Sequence, residues 1–341
     1  MNGGVNGGMT VAMTERALAA RNFIKARERW HWAEALPWLA IAGAFFVFPD
    51  YLALGTQLII AIIFALSLDL ILGYAGIITL GHAAYFGAGA YATGMLSAHL
   101  GWGEPISAML FGGLVGGVLG FLSGWILLRY HGLTLLMLTL ATAILLQEGA
   151  NAAEEWTGGF DGLVGISIQP LLGSFEYDLW GKTYFCYSAV VLLLCFLIAR
   201  TIVHSAFGRS LAGIKGNVER MHGIGTPVHG RLVTIYTISA AMAGVAGGLF
   251  AESNAYVTLD VLSFARSGTV LIMLVLGGTG RLYGAFVGTA VYMILEDELA
   301  KLSPEFWEFG IGLLLVIVVL FFRRGLMGAL EDLRRRLGGA P

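Results

Sequence analysis

"LDLILGYAGIITLGHAAYFGAGAY", residues 68–91, decides how this chain is read. The stretch is apolar enough for lipid, yet it holds Asp69, Thr79, His82 and five glycines. Gly73 and Gly76 flank Tyr74-Ala75 and predict a break or sharp turn. Non-helical backbone at bilayer depth survives only inside protein or beside a water-filled path, because lipid offers no hydrogen-bond partners. The segment is therefore expected to be interior. At 1.5 Å per residue, Asp69 and His82 fall about 6–9 Å from the turn and can meet at similar depth. An ionisable residue within a membrane marks a functional site by default. The alternative is that Asp69 accepts hydrogen bonds from N–H groups freed by the turn and His82 is a satisfied interior histidine.

The rest of the chain supports a membrane setting. Of 341 residues, 57% are hydrophobic and 12% charged, against about 25% charged in soluble domains. Mean hydropathy is +0.78. The expected class is an all-α polytopic membrane protein. A net charge of −2 speaks against a nucleic-acid surface. Cys186 and Cys195 would lie about 13 Å apart along one helix, too far for a disulfide. Residues 1–35 lack the apolar core of a signal peptide and carry Arg16, Arg21, Lys25, Arg27 and Arg29, which predicts a cytoplasmic tail.

Ten spans are predicted, at 36–53, 56–72, 76–98, 105–128, 132–150, 183–200, 231–251, 265–280, 282–299 and 306–322, the eighth short enough to be re-entrant. Basic residues set the orientation. The loop 200–231 holds Arg200, Arg209, Lys215, Arg220 and Arg231 and is expected inside, as is a basic C-terminal tail, 326–341. The connection 151–182 carries Lys182 as its one base and is expected to be periplasmic. An even count with both termini cytoplasmic permits an inverted 5+5 repeat across a permease domain, 36–325. Glycines at 112, 116, 120 and 124, and again at 280, 284 and 288, predict faces where helix backbones touch.

Four blocks in order now carry a resemblance. "GYAGIITLGHAAYFGAGAYATG" (73–94), "WTGGFDGL" (156–163), "AFGRSLAGIKGNVERMHGIG" (206–225) and "LVLGGTGRLYGAFVGT" (274–289) resemble LivM-type permeases of branched-chain amino acid ABC importers. The resemblance implies an inner-membrane permease that works with a LivH-type second permease, two ATP-binding subunits and a periplasmic substrate-binding protein. It implies that 205–225 is the cytoplasmic loop coupled to the ATPase, through Gly208, Arg209, Leu211, Ile214, Lys215, Asn217, Arg220 and Gly223. Ala212-Gly213 and Gly216 stand where members often carry bulky or charged residues, and Arg220-Met221 replace a more usual alanine-rich stretch. The family also includes urea, amide and aromatic-acid importers, so its blocks report the machine more than the cargo.

No catalytic centre is expected. "GKT" at 181–183 lacks the leading glycine of a phosphate loop, since position 176 is Glu176. There is no metal-spaced histidine pair and no nucleophile elbow, so neither cofactor nor metal is expected and ATP hydrolysis is assigned to separate subunits. Asp69, Thr79, His82 and Tyr85 are the candidates for the translocation path or its wall. An ion-coupled secondary transporter using Asp69 and His82, or a membrane scaffold, are the readings that compete with the ABC permease.

Overall fold

The computed structural model describes residues 32–170 and 181–302, with 309–310, 312–313, 316 and 325–329 beyond them. The chain divides at Gly43. In the first unit the described part is a 3-10 turn, Trp32–Ala35, and the start of helix α1 (Leu36–Val47). Most of the expected tail 1–35, the later part of connection 151–182, most of span 306–322 and nearly all of tail 326–341 lie outside the described residues.

The second unit is a helical bundle. Helix α2 (Leu52–Asp69) runs into a π-helical turn, Leu70–Tyr74. Residues 75–82 are non-helical, and the chain resumes as α3 (Ala83–Leu100). Then come α4 (Pro105–Leu127), α5 (Leu133–Ala152), α6 (Lys182–His204), α7 (Ala206–Gly216), α8 (Val218–Gly223), α9 (Val228–Asn254), α10 (Phe264–Gly277) and α11 (Leu282–Leu302). Among the described residues there is no strand, only an isolated antiparallel bridge between Leu163 and Val257.

Among the described residues, five helical stretches are long and apolar enough to cross a membrane: α2 with its flanking turns, α4, α5, α6 and α9. The pair α10–α11, bent by 113° at residues 278–281, makes a sixth if taken as one span. The all-helical membrane fold is thus observed, with five or six such spans where ten were expected. The reason lies partly in the opening stretch: predicted span 76–98 is non-helical for its first seven residues, and the helical remainder is rich in glycine and alanine.

Local chemistry places the helix ends. Glu104 precedes Pro105 and accepts the Ser107 amide at 2.7 Å, satisfying a donor that the first turn of α4 leaves free. Gly101 ends α3 in the left-handed conformation, φ 65°. At that end of the bundle, residues 151–170 pack across the helix termini. Ser97 donates to the Ser167 carbonyl at 2.6 Å, and Gln169 N–H donates to the Gly103 carbonyl at 2.9 Å. At the opposite end lie the break after α2, the α4–α5 turn, the α7–α8 elbow and the start of α9, which share a cavity lined by Gly76, Leu128, Leu136, Ile214 and Leu232.

Helices α2 and α9 form the centre. Lipid tails are as apolar as leucine, so these helices are held by close packing and not by exclusion of water. The glycine stripe of α4 does this work. A Cβ on Gly116 would sit 2.8 Å from the Ala240 carbonyl oxygen of α9, and one on Gly124 2.9 Å from the Tyr236 ring. On α11, Gly284 and Gly288 face Gly277–Gly278 and Met273, so α10 and α11 meet backbone to backbone. Gly280 departs from the expected helical stripe: it lies in the break before α11, with φ 76°.

Gly116→Leu is therefore expected to drive α4 from α9, since overpacking costs about 1–3 kcal/mol. Gly149→Leu, at a position on α5 with no atom within 4 Å, is its control. Melting in detergent should show a clear fall for the first and little change for the second. Equal melting temperatures would mean that the α4 stripe is not a tight contact.

Candidate functional site

The site begins where α2 loses its regular hydrogen bonds. Widening to a π-turn at Leu70–Tyr74 and reversing at Gly76, φ 76°, frees backbone groups at depth. Each freed group needs a protein partner. The Ile77 amide returns to the Ile71 carbonyl at 2.9 Å. The Leu80 amide donates to the Thr139 hydroxyl at 3.3 Å, the Gly81 amide to Thr79 at 3.2 Å, and the Ala83 amide to Ser267 at 2.9 Å. Side chains from α5 and α10 thus complete the ladder that the break interrupts.

Asp69 and His82 are both fully buried but do not meet. Asp69 Oδ1 accepts the Gly280 amide at 2.7 Å, 211 residues away, with the Arg281 amide beside it. Those amides open α11, where a carboxylate is favoured by the unpaired N–H groups and the helix dipole. Gly73 permits the approach: a Cβ there would collide with Asp69 Oδ1 and the Gly280 backbone. His82 instead bonds Ser67 through Nε2 at 2.8 Å and stacks on Phe64, with centroids 5.4 Å apart. The Ser67 hydroxyl also lies 2.7 Å from the Phe64 carbonyl of the preceding turn. Ser239 of α9 donates to the Ser67 carbonyl at 2.5 Å.

Thr79 and Tyr85 belong to the same framework. Tyr85 Oη lies 2.6 Å from Ser123 Oγ of α4 and 3.0 Å from Tyr236 Oη of α9. The four candidate residues therefore form a packed polar seam joining α2, α3, α4, α9 and the α10–α11 turn.

The eight residues of the 205–225 loop divide by role. Ser205 caps α7 by accepting the Gly208 amide at 3.2 Å, and Gly208, Leu211 and Ile214 are buried. Asn217 caps α8 by accepting the Arg220 amide at 2.8 Å. Arg209, Arg220 and Gly223 are exposed, with Arg209 donating to the His204 carbonyl at 2.9 Å. Lys215 reaches inward: its Nζ donates to the Gly73 carbonyl at 2.6 Å, close enough to influence Asp69. A continuous chain of contacts thus runs from α7 through Gly73 and Asp69 to Gly280 and α11.

Sequence reasoning passed over three charged residues. Glu252 was placed just beyond a span ending at 251, but α9 continues to Asn254 and buries it, with Tyr187 beside it. Arg266 and Glu296 line a cavity of about 150 Å³ with Gln57 and Phe64. An acid or base within an apolar run was a usable signal for all three. Among the described residues, no group of three His, Cys, Asp or Glu is placed to hold a metal ion.

Substitution at Asp69 separates bracing from ionisation. Asp69→Leu removes the acceptor of the Gly280 amide, an unmet buried donor costing about 1–3 kcal/mol; Asp69→Asn keeps an acceptor oxygen. Melting in detergent should fall clearly more for leucine than for asparagine. Equal losses would contradict the brace.

Comparison with known proteins gives this geometry a family. Residues 51–319 match the family described as the permease component of branched-chain amino acid transport systems. The chain is 28% identical over 314 residues to the high-affinity branched-chain amino acid transport system permease protein LivM of Salmonella typhimurium, covering 86% of this chain and 73% of that one. The Escherichia coli protein of the same name matches at the same identity and coverage. The autoinducer 2 import system permease protein LsrC of Yersinia pseudotuberculosis is 26% identical over 230 residues, 63% of this chain and 61% of that one. No solved structure matches the chain. With the family match running from the start of α2 past the end of α11, this chain belongs to the LivM-type permeases of branched-chain amino acid transport systems.

Proposed function

We propose that the chain is the transmembrane permease subunit of an ATP-driven ABC importer that carries branched-chain or related hydrophobic amino acids across a bacterial inner membrane. Its partners are a LivH-type permease, two ATP-binding subunits and a periplasmic binding protein. The observation that carries this reading is the Lys215–Gly73 hydrogen bond, which ties an amphipathic surface elbow to a broken helix inside the bundle. Closure of the ATP-binding subunits moves the α7–α8 elbow. Lys215 passes the displacement to the π-turn, and Asp69 passes it to Gly280 and the α10–α11 pair. The bundle then exchanges outward-facing for inward-facing states, with cargo delivered at the 151–182 end.

In this reading the chain crosses ten times, counting α1 first, with both termini cytoplasmic. Support comes from which ends meet. Helices α10 and α11 share with Gln57 the cavity near the start of α2, so the pair descends and returns. Gly325 packs on Gly278 at the opposite level. An inverted 5+5 repeat is supported by the central helices: α2 and α9 are each followed by a stretch that leaves the α-helix, residues 70–82 and 255–263, before the next helix begins. Residues 1–35 and 326–341 are then cytoplasmic tails flanking the permease domain.

A second cargo reading is favoured by the match to LsrC, an import permease named for autoinducer 2. It keeps the machine and changes the substrate. The ion-coupled alternative is disfavoured by the engagement of Asp69 with backbone amides.

Proteoliposomes containing the assembled importer and its binding protein should take up L-leucine only with ATP inside the nucleotide-binding compartment. An ion gradient sufficing alone would reject the ABC mechanism, and ATP-dependent uptake of other solutes but not leucine would select the second cargo reading. Arg209→Glu is expected to weaken ATPase association or coupled uptake without affecting membrane insertion. Normal uptake by the assembled variant would remove Arg209 from the docking surface.

The orientation has its own check. With Cys186 and Cys195 replaced, Val164→Cys should react with an impermeant thiol reagent in intact spheroplasts, and Ile224→Cys only after lysis. Both positions are exposed, at 67% and 70%. The opposite pattern would invert the topology.

A further inference from the structure

The brace leaves Arg266 and Glu296 without a role. Arg266 stands in the first turn of α10, whose cap, Ser263, accepts its amide at 3.1 Å. Its guanidinium lies over the rings of Phe250 and Phe86, with distances of 5.0 and 5.6 Å to the centroids. Glu296 comes from α11, and both side chains line the cavity of about 150 Å³. The remaining wall is mainly apolar, with Ile60, Phe64, Val270, Met273 and Met293. Among the described residues, no hydrogen bond or ion pair engages the side chain of either charged residue.

Desolvated charges are expensive, and a protein that keeps two of opposite sign in one cavity ordinarily pairs them. Here no direct ion pair joins them: they attract each other only across the cavity, and Asp260 adds a further attraction on Arg266. The two aromatic rings steady the guanidinium charge, and its N–H groups can still meet a planar acceptor. A carboxylate meets them in two parallel hydrogen bonds. Glu296 complements an ammonium group. A simple anion would satisfy Arg266 but be repelled by Glu296, and a simple cation would meet the reverse. A neutral amide would neutralise neither. The cavity has the volume of about five waters, and an apolar cavity of that size holds benzene. One small branched side chain fits that description.

Gln57 also lines a second cavity, of about 460 Å³, with Tyr184, Ser253, Asn254 and Gly181 at the same end of the bundle as residues 151–170. Gln57 Nε2 donates to Asn254 Oδ1 at 3.1 Å. Gln57 thus lines both the outer space and the charged cavity, and rotation of its side chain alone would break its bond to Asn254, which the Phe250 carbonyl also holds at 2.8 Å.

We propose that Arg266 and Glu296 form an intramembrane subsite for a zwitterionic α-amino acid with a small apolar side chain, reached from the outer cavity past the Gln57–Asn254 pair. This deepens the importer reading and rests on it. The experiment uses the assembled importer in detergent without its binding protein, and measures equilibrium binding of L-leucine and of 4-methylpentanoate, which lacks the amine. Arg266→Gln should weaken binding of both compounds about tenfold or more, as loss of charged hydrogen bonds implies. Glu296→Gln, nearly isosteric, should weaken L-leucine selectively and so narrow its preference over 4-methylpentanoate. It remains decisive if Arg266→Gln does not assemble. Unchanged affinities and an unchanged preference in the assembled Glu296→Gln complex would overturn the subsite, as would absence of L-leucine binding to the unsubstituted complex. ATP-driven uptake is scored separately in proteoliposomes. Uptake without this binding sinks the subsite alone, whereas gradient-driven uptake sinks the importer mechanism while leaving a positive binding result standing.

Discussion

Backbone that leaves the helix inside a bilayer must find every hydrogen-bond partner within the protein. The structure is organised around that requirement. The chain leaves the helix at residues 75–82 and again at 278–281, and the two places support one another through Asp69 and Gly280. Thr139 and Ser267 are drawn in from α5 and α10 to meet amides of the first break. Lys215 is drawn in from the elbow to meet a carbonyl. Remove the break and Asp69, Thr139 and Ser267 lose the partners that justify their burial.

Much of this was legible in the sequence. The glycines around Tyr74 announced the break, and a polar, glycine-rich stretch in an apolar chain announced its interior position. The α4 stripe was readable because four-residue spacing puts glycines on one face regardless of what they pack against. The partner of Asp69 was not readable. It is a backbone amide 211 residues away, and backbone amides carry no sequence signature. The proximity of Asp69 and His82 was plausible from depth alone but ignored rotation about the helix: Ser67, not Asp69, meets His82. Lys215 looked like one more base in a basic loop because charge counting records the side of the membrane and not the direction of a side chain. Glu252 was hidden by a helix end drawn three residues short.

The site also separates two jobs. The polar seam of Asp69, Thr79, His82 and Tyr85 is closely packed and joins helices, as a rigid frame would. The cavity that holds Arg266 and Glu296 lies elsewhere, along the face of α2 that meets α10 and α11. One helix therefore presents a rigid side to α9 and a hollow side to the bent pair. A frame that moves as a unit can widen or narrow the hollow without remodelling its own contacts, because tightly packed interiors shift between arrangements and do not deform continuously.

Both ties at the break grip main-chain atoms: Lys215 holds the oxygen of residue 73 and Asp69 the nitrogen of residue 280. Every residue offers these atoms, so neither tie reads the identity of its partner. What it reads is position along the chain. Side chains that do not crowd the joint are free to drift, whereas a single inserted or deleted residue between 69 and 73 would carry the gripped oxygen out of reach. The connection between surface and interior is written in the spacing of the chain more than in its alphabet.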